Sequence, residues 1–374
     1  MTGRVLVVGG GIAGLTAATA FSRRGVVVDL LERKPELSDG GGVGLTLVAN
    51  AMRALAQIGV ATRCVRAGIG ADSLAICRPD GSVLVEQPLS RIGGPEWPGA
   101  TGIRRAVLHQ ILADAAIAAG VRVRCGATMH DWHQDAAGIV VQLDDGRQER
   151  YGLVVAAEGL YSSTRARLMP DVRPQLTGQA VWRAETPRPP EIWRTHLHMG
   201  GRHGAVGICP VSEDTSYVYI VQAAGDGRRR DPATLHLQMR AELEGYTGRV
   251  AELAATLDRA EKVSYRPIEW LLSPQPWYRG RLVLIGDAVH VNPPVLAQGA
   301  AMGIEDAIVL AEEVAENLGD SAAALDRFGV RRCARVAAIV DASCELARAE
   351  VEHRRDLDVP AMMGRTTQLL AQPI

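Results

Sequence analysis

Arg4-Val-Leu-Val-Val-Gly-Gly-Gly-Ile-Ala-Gly14 is the stretch whose reading decides the fold. Val5 to Val8 form a continuously apolar run, the pattern of a strand buried on both faces. Gly9, Gly11 and Gly14 follow at G-x-G-x-x-G spacing, and Leu15 to Arg24 reads as a helix with Leu15, Ala18 and Phe21 inward. A second buried strand, Val26 to Leu31, ends at Glu32. In such a βαβ unit the first glycine permits a tight turn, the second lets backbone approach a pyrophosphate, and the third lets helix and strand pack closely. Around Ile12 and Ala13 the helix offers unpaired N–H groups and its positive dipole end to phosphates. Glu32 stands about 20 residues on, where a carboxylate accepts hydrogen bonds from ribose hydroxyls. Strand, glycines, helix and acid within one unit favour an adenine-dinucleotide site over a merely structural turn.

Working outward, 374 residues suit two intimately joined domains or one large one. A net charge of -1 gives no basic surface for nucleic acid. The six cysteines show no metal-binding spacing, so no metal is expected. With the first strand beginning at the fourth residue and no signal peptide, they read as reduced thiols of a cytoplasmic protein. No apolar run is long enough to cross a bilayer.

After Glu32 a glycine-dense loop, Ser38 to Gly44, leads into a short strand and a helix from about Asn50 to Gln57. Residues 72–86 read as a hairpin, and Gly102–Leu108 leads into a helix reaching Ala119. Asp131–Gln142 with Gln148–Tyr151 reads as an antiparallel pair, and Leu153–Ala157 as another doubly buried strand. From Gln175 to Trp270 the texture changes to short alternating strands with one helical interval at about 232–257, a separate antiparallel sheet. The strand ending in Gly286-Asp287, a helix from Gly299 to Glu316 and a long helical region from about Ala322 to Arg354 complete the chain.

Three segments thus share one form, a buried strand running into a turn rich in glycine and acid: Val5–Gly14, Leu153–Arg165 and Leu282–Asp306. Here the chain resembles the group A FAD-dependent aromatic monooxygenases of the para-hydroxybenzoate hydroxylase fold, over nearly its whole length. The family's D-G-x-x-S-x-x-R motif matches Glu158-Gly159-Leu-Tyr-Ser162-Ser-Thr-Arg165, with Glu158 in place of the usual Asp. Its G-D-A-x-H…P-x-x-G-Q-G segment matches Gly286-Asp287-Ala-Val-His290 and Pro294-Val-Leu-Ala297-Gln298-Gly299, with Ala297 in place of a glycine. The Pro293–Gln298 wording is similar to that of hydroxylases of pyridine-ring acids such as 6-hydroxynicotinate, and salicylate-type enzymes are close.

The resemblance implies an α/β fold: a Rossmann-like FAD-binding domain (1–72 with 100–174 and 275–320), an inserted antiparallel-sheet substrate domain (73–99 and 175–274) and C-terminal helices (321–374). It implies FAD as cofactor, NADH or NADPH as transient co-substrate, and molecular oxygen, with hydroxylation of a small aromatic or N-heteroaromatic substrate through a flavin hydroperoxide. Asp287 would accept from the ribityl chain; N–H groups around Gln298, Gly299 and Ala300 would face the pyrimidine end of the flavin. Arg105 would meet the pyrophosphate and Arg33 the adenosine end, with Glu158 and Gly159 beside the cofactor. Thr46, Cys209, Gln222 and Pro294 are candidate pocket residues, and Arg183 a candidate partner for a substrate carboxylate. His203, Tyr217 and Tyr219 are candidates to orient or deprotonate a ring hydroxyl; Tyr217 and Tyr219 share a face because strand side chains alternate. The long C-terminal helix could cover the FAD domain or serve a homodimer. Other flavoenzyme chemistry on this fold (epoxidase, reductase or halogenase) and a non-catalytic flavin-binding role stay open.

Overall fold

A computed structural model of the chain describes residues 3–38, 42–224, 230–315, 321–354 and 356–374. Residues 39–41 of the glycine-dense loop and the expected helix end at Glu316 lie outside the described residues.

The first strand, Arg4–Val8, is central to a six-stranded sheet, paired in parallel with Val27–Glu32 on one side and Leu153–Ala156 on the other. Arg122–Cys125 extends the first side; Leu282–Leu284 extends the second, and Tyr278–Arg279 closes that edge antiparallel. Continuous apolarity has the expected cause, because alternate residues of one strand enter different cores. Val5 and Val7 pack under the helices, while Leu6 and Val8 pack against the opposite layer. The helices are Ile12–Arg23, Arg105–Ala118 and Gly299–Ala315. The opposite layer is a meander of three strands, Met129–Asp135, Gly138–Leu143 and Gln148–Tyr151, rather than a pair. The expected first strand is broken at Asp135, whose carboxylate accepts from the N–H groups of Ala137 (2.8 Å) and Gly138 (3.0 Å) and folds the chain back.

A second sheet has eight strands, in the order His290–Val291, Val263–Leu272, Gln175–Pro187, Thr215–Ala223, Ala205–Pro210, His196–His198, Ser73–Cys77 and Val83–Pro88. One face carries Trp182, Ala184, Val206, Ile208, Val218 and Ile220 into a core beneath Leu235–Glu242 and Gly248–Ala255. The expected single helical interval is therefore two helices. Strands Gly44–Val48, Ala100–Arg104 and Ile69–Ala71 form a small sheet whose first strand packs Gly44 against Tyr217 of the other face.

The long helix, Ser321–Val351, has 31 residues and spans about 46 Å. It packs against Gly299–Ala315 at one end and against the eight-stranded sheet at the other, where Gln179 Nε2 donates to Glu350 Oε2 (2.8 Å). A last helix, Val359–Ala371, starts on an Asp358 cap that accepts from Ala361 N–H (2.9 Å). Among the described residues no helix is long and apolar enough to cross a membrane.

Candidate active site

The glycine loop is held in shape by contacts that leave no room for side chains, except at one position. A Cβ on Gly9, whose φ is +109°, would lie 2.4 Å from Ala157 O, and one on Gly14 would lie 1.9 Å from Gly9 O. A Cβ on Gly11 would meet nothing within 4 Å. Strand-to-helix packing therefore demands the outer two glycines, whereas the open space at Gly11 suits a ligand's approach. Glu32 closes the loop from the second strand: its Oε2 accepts from Gly10 N–H (2.8 Å) and its Oε1 from Lys34 N–H (2.9 Å). On the other side His109, a residue sequence reasoning missed, has its Nε2 2.7 Å from Gly10 O. His109 stands one helical turn after Arg105 and so shares its face.

The other two strand-turn segments converge on the same point. Ala13 packs against Gly286 and Gly303, where Cβ atoms would lie 3.0 and 3.2 Å from its own. Glu158 turns inward to cap the helix Ser163–Leu168: its carboxylate accepts from the Ser162 hydroxyl, Ser163 Oγ (2.8 Å) and Thr164 N–H (3.1 Å). The extra methylene is thus taken up by reaching across the first turn of this helix. Ser162 is itself an N-cap, accepting from Arg165 N–H at 3.0 Å. Arg165 is buried and donates to Ala288 O (3.0 Å) and Leu160 O (2.6 Å), tying the two motifs together. Gly159 borders open space, and Arg33 is exposed at the end of the second strand.

Asp287 reaches solvent, yet protein atoms surround it closely enough to desolvate it. That desolvation, with Asp306 adding to it, raises its pKa against the opposing pull of His290 and Arg105. This is the situation of a carboxyl on the floor of a crevice. Arg105 is near enough to pull on the Asp287 carboxyl, and its Cδ lies close to Gly42. Arg104 is directed elsewhere, donating to Glu185 Oε2 at 2.9 Å.

Beneath the crevice lies a buried charge network. Asp306 accepts from Gly286 N–H (3.0 Å), His290 Nε2 (2.6 Å) and Arg332 Nε (2.8 Å). Glu305 accepts from Arg332 (2.6 Å), Arg335 (2.9 and 3.0 Å) and Asn50 Nδ2 (2.9 Å). Burial alone would raise the Asp306 pKa, but His290, Arg332 and its hydrogen bonds outweigh it and hold the group down at about 2. Asn50 extends the network to Gln298, with which it exchanges amide hydrogen bonds of 3.0 and 3.3 Å. The Gln298 side chain therefore points into the core. What the helix Gly299–Ala315 offers outward is backbone: its first N–H groups, at Gly299 and Ala300, have no intrahelical acceptor. Buried Asn292, whose Oδ1 lacks a partner, lies beside them, and Pro294 opens the short turn leading to them. Ala297 in that turn has a left-handed backbone (φ +53°, ψ +27°), the geometry that glycine adopts most readily.

On the face of the eight-stranded sheet turned away from Leu235–Glu242 and Gly248–Ala255, Thr46 Oγ1 lies 3.6 Å from Cys209 Sγ, and the Tyr217 and Tyr219 rings stand 5.8 Å apart. Arg183 pairs in register with Tyr219 and shares this face. Burial raises the pKa of both phenols, which keeps them as O–H donors rather than bases. Burial lowers that of Arg183, whose titratable neighbours are Tyr217, Arg105, Tyr219 and Arg266; among the described residues no carboxylate pairs with it. The structure does not bring Gln222 or His203 to this group. Gln222 falls on the opposite parity of its strand, with Val218 and Ile220 under the helices. His203 is turned onto Glu242, 2.8 Å from its carbonyl and 3.2 Å from its carboxylate.

Residues 2–343 match the family described as FAD binding domain. A 2-heptyl-3-hydroxy-4(1H)-quinolone synthase of Pseudomonas aeruginosa is 32% identical over 312 residues, covering 82% of this chain and 79% of that protein. The 3-amino-4-hydroxybenzoate 2-monooxygenase PtmB3 of Streptomyces platensis is 31% identical over 352 residues, covering 89% and 85%. Among solved structures, a variant of Klebsiella pneumoniae HpxO complexed with FAD superposes with a TM-score of 0.85 at 23% identity, covering 99% of both chains.

Proposed function

The chain belongs to the FAD-binding domain family and is a flavoprotein monooxygenase, and on that premise we propose that it hydroxylates a small, hydroxylated aromatic or N-heteroaromatic acid, using NADH or NADPH and molecular oxygen. The residues fit FAD: the space at Gly11, the Asp287 carboxyl with Arg105 near it, and the unpaired N–H groups at Gly299 and Ala300 belong to segments that meet where Ala13 packs against Gly286 and Gly303. Bound FAD supplies the redox chemistry and the activation of oxygen. The chain's own residues bind and orient. Arg105 offsets pyrophosphate charge, Glu32 fixes the glycine loop and the ribose, and the Gly299–Ala300 N–H groups favour negative charge on the adjacent ring. Tyr217 and Tyr219 donate hydrogen bonds to a ring substituent, and Val43, Val211 and Val221 line the same face against water.

The observation that carries the substrate class is Arg183: a guanidinium on the pocket face, beside two phenols, with no carboxylate of its own. A charge left in this state in a half-buried site calls for an anionic partner. A substrate carboxylate supplies one, in keeping with relatives named for hydroxybenzoates. The test is Arg183→Ala, assayed with hydroxylated benzoic, nicotinic and picolinic acids and with their neutral amides. Losing a charge-assisted hydrogen bond worth about 2 kcal/mol raises KM for the acids about 30-fold and leaves the amides unchanged. Equal effects on acids and amides would remove the carboxylate assignment.

A further inference from the structure

Cys77, His196 and His198 take no part in the flavin crevice. They lie on the other, helix-covered face of the eight-stranded sheet, where His196 pairs with Ile208 and His198 with Val206. Cys77 stands opposite His198 through a parallel pairing in a sheet otherwise antiparallel among the described residues. One ligand atom from each of the three lies within 4.8 Å of the other two, and Cys77 Sγ is 3.9 Å from His196 Nδ1.

The geometry of His198 is informative. The side chain is 1% exposed, and Nδ1 lies 3.1 Å from Arg78 O. A carbonyl only accepts, so Nδ1 carries the proton and Nε2 presents a bare lone pair. That Nε2 is buried with no hydrogen-bond partner. An orphaned buried acceptor costs about 1–3 kcal/mol. One ring nitrogen anchored to a carbonyl with the other bare is the arrangement of a metal-ligating histidine. Fully buried Cys77 supplies a soft donor to the same cluster, its Sγ otherwise only 3.8 Å from Ala75 O.

We propose that Cys77, His196 and His198 bind one zinc ion, clamping the Ser73–Cys77 strand to the His196–His198 strand. Two imidazole nitrogens and a sulfur suit Zn²⁺ and not the oxygen-seeking Mg²⁺ or Ca²⁺. Ligand atoms about 2.0–2.3 Å from a tetrahedral zinc are about 3.3–3.8 Å apart, so the Cys77–His196 edge is nearly at its bound length. Binding releases the thiol proton to solvent and forms no other covalent product.

The FAD-loaded protein, stripped with a chelator and dialysed, is titrated with Zn²⁺ against a competing indicator and, separately, with Co²⁺. One equivalent of zinc per chain is expected, with a thiolate-to-cobalt charge-transfer band. Cys77→Ser and His198→Gln should abolish that band and weaken zinc at least about tenfold, while FAD content and flavin absorbance stay those of the wild type. His196→Gln, at a half-buried position, gives the same readout should the buried substitutions disturb folding. Failure of the wild type to take up zinc, or wild-type zinc affinity in these variants, would overturn the site.

Discussion

Gly11→Ala and Gly14→Ala introduce the same methyl group three residues apart in one loop, yet the surroundings differ. At Gly14 the new carbon would lie 1.9 Å from Gly9 O, inside any tolerable contact, and that oxygen is backbone. Strand and helix would have to separate, and the apoprotein should lose several kcal/mol, about the cost of forcing large groups into a packed core. At Gly11 nothing lies within 4 Å, and φ −77° with ψ −176° is open to alanine. Alanine is a poorer helix N-cap by up to about 1 kcal/mol, but the stiffer unfolded chain returns about 0.4–1 kcal/mol. Apoprotein stability should therefore change by less than about 1 kcal/mol. The methyl would instead occupy the approach of the pyrophosphate. Losing one charge-assisted hydrogen bond to backbone, about 1.5–3 kcal/mol, weakens FAD about 10- to 150-fold. Flavin-fluorescence quenching on titrating FAD into apoprotein gives the affinity, and urea unfolding of the same apoprotein gives the stability. If Gly11→Ala bound FAD like the wild type, or lost as much apo stability as Gly14→Ala, the assignment of the open space to the cofactor would be wrong.

Other outcomes follow from the buried network and the strained turn. Arg332→Met strips the cation shared by Glu305 and Asp306 and should cost about 3–5 kcal/mol in urea unfolding; a loss under about 1 kcal/mol would mean the carboxylates do not rely on it. Since folding depresses the Asp306 pKa to about 2, its contribution is complete above its unfolded value, about 3.9, and is lost as pH falls through about 2. Arg332→Met should move that acid limb to higher pH, and an unmoved limb would count against the coupling. Ala297→Gly relieves a left-handed Cβ worth about 1–2 kcal/mol but adds about 1 kcal/mol of backbone entropy, so the melting temperature should hold or rise slightly; a clear fall would show that the methyl packs usefully.

The parts of the fold that were legible in the sequence are those written in contiguous residues. Glycines at G-x-G-x-x-G spacing after an apolar run have few physical explanations, and Val5 to Val8 meet both cores as their apolarity implies. The meander was misjudged because Asp135 folds the chain with a side-chain acceptor, a local signal that strand periodicity does not register. Gln222 is within reach of the sequence: its number is even where those of Tyr217 and Tyr219 are odd, so strand parity alone puts it on the other face. The positions of His203, His109 and Asn50 were not legible, because each is fixed by a partner on a distant element. Arg332 and Arg335, spaced for one helix face, give a faint hint, but only tertiary structure sets them against Glu305 and Asp306. Cys77 and His196, separated by over a hundred residues, meet through strand pairing that no spacing rule anticipates.

The Ser321–Val351 helix bears on how this chain can be taken apart. Its Arg332 and Arg335 neutralise acids that belong to the preceding helix, and its far end bonds the Gln175–Pro187 strand inside the second sheet through Glu350. A fragment cut before residue 321 would keep every glycine motif and still leave two buried carboxylates without their arginines. The nucleotide-binding half is consequently not a transplantable module: recombination or domain grafting with relatives should succeed only when crossover points carry this helix together with the Glu305–Asp306 pair it neutralises.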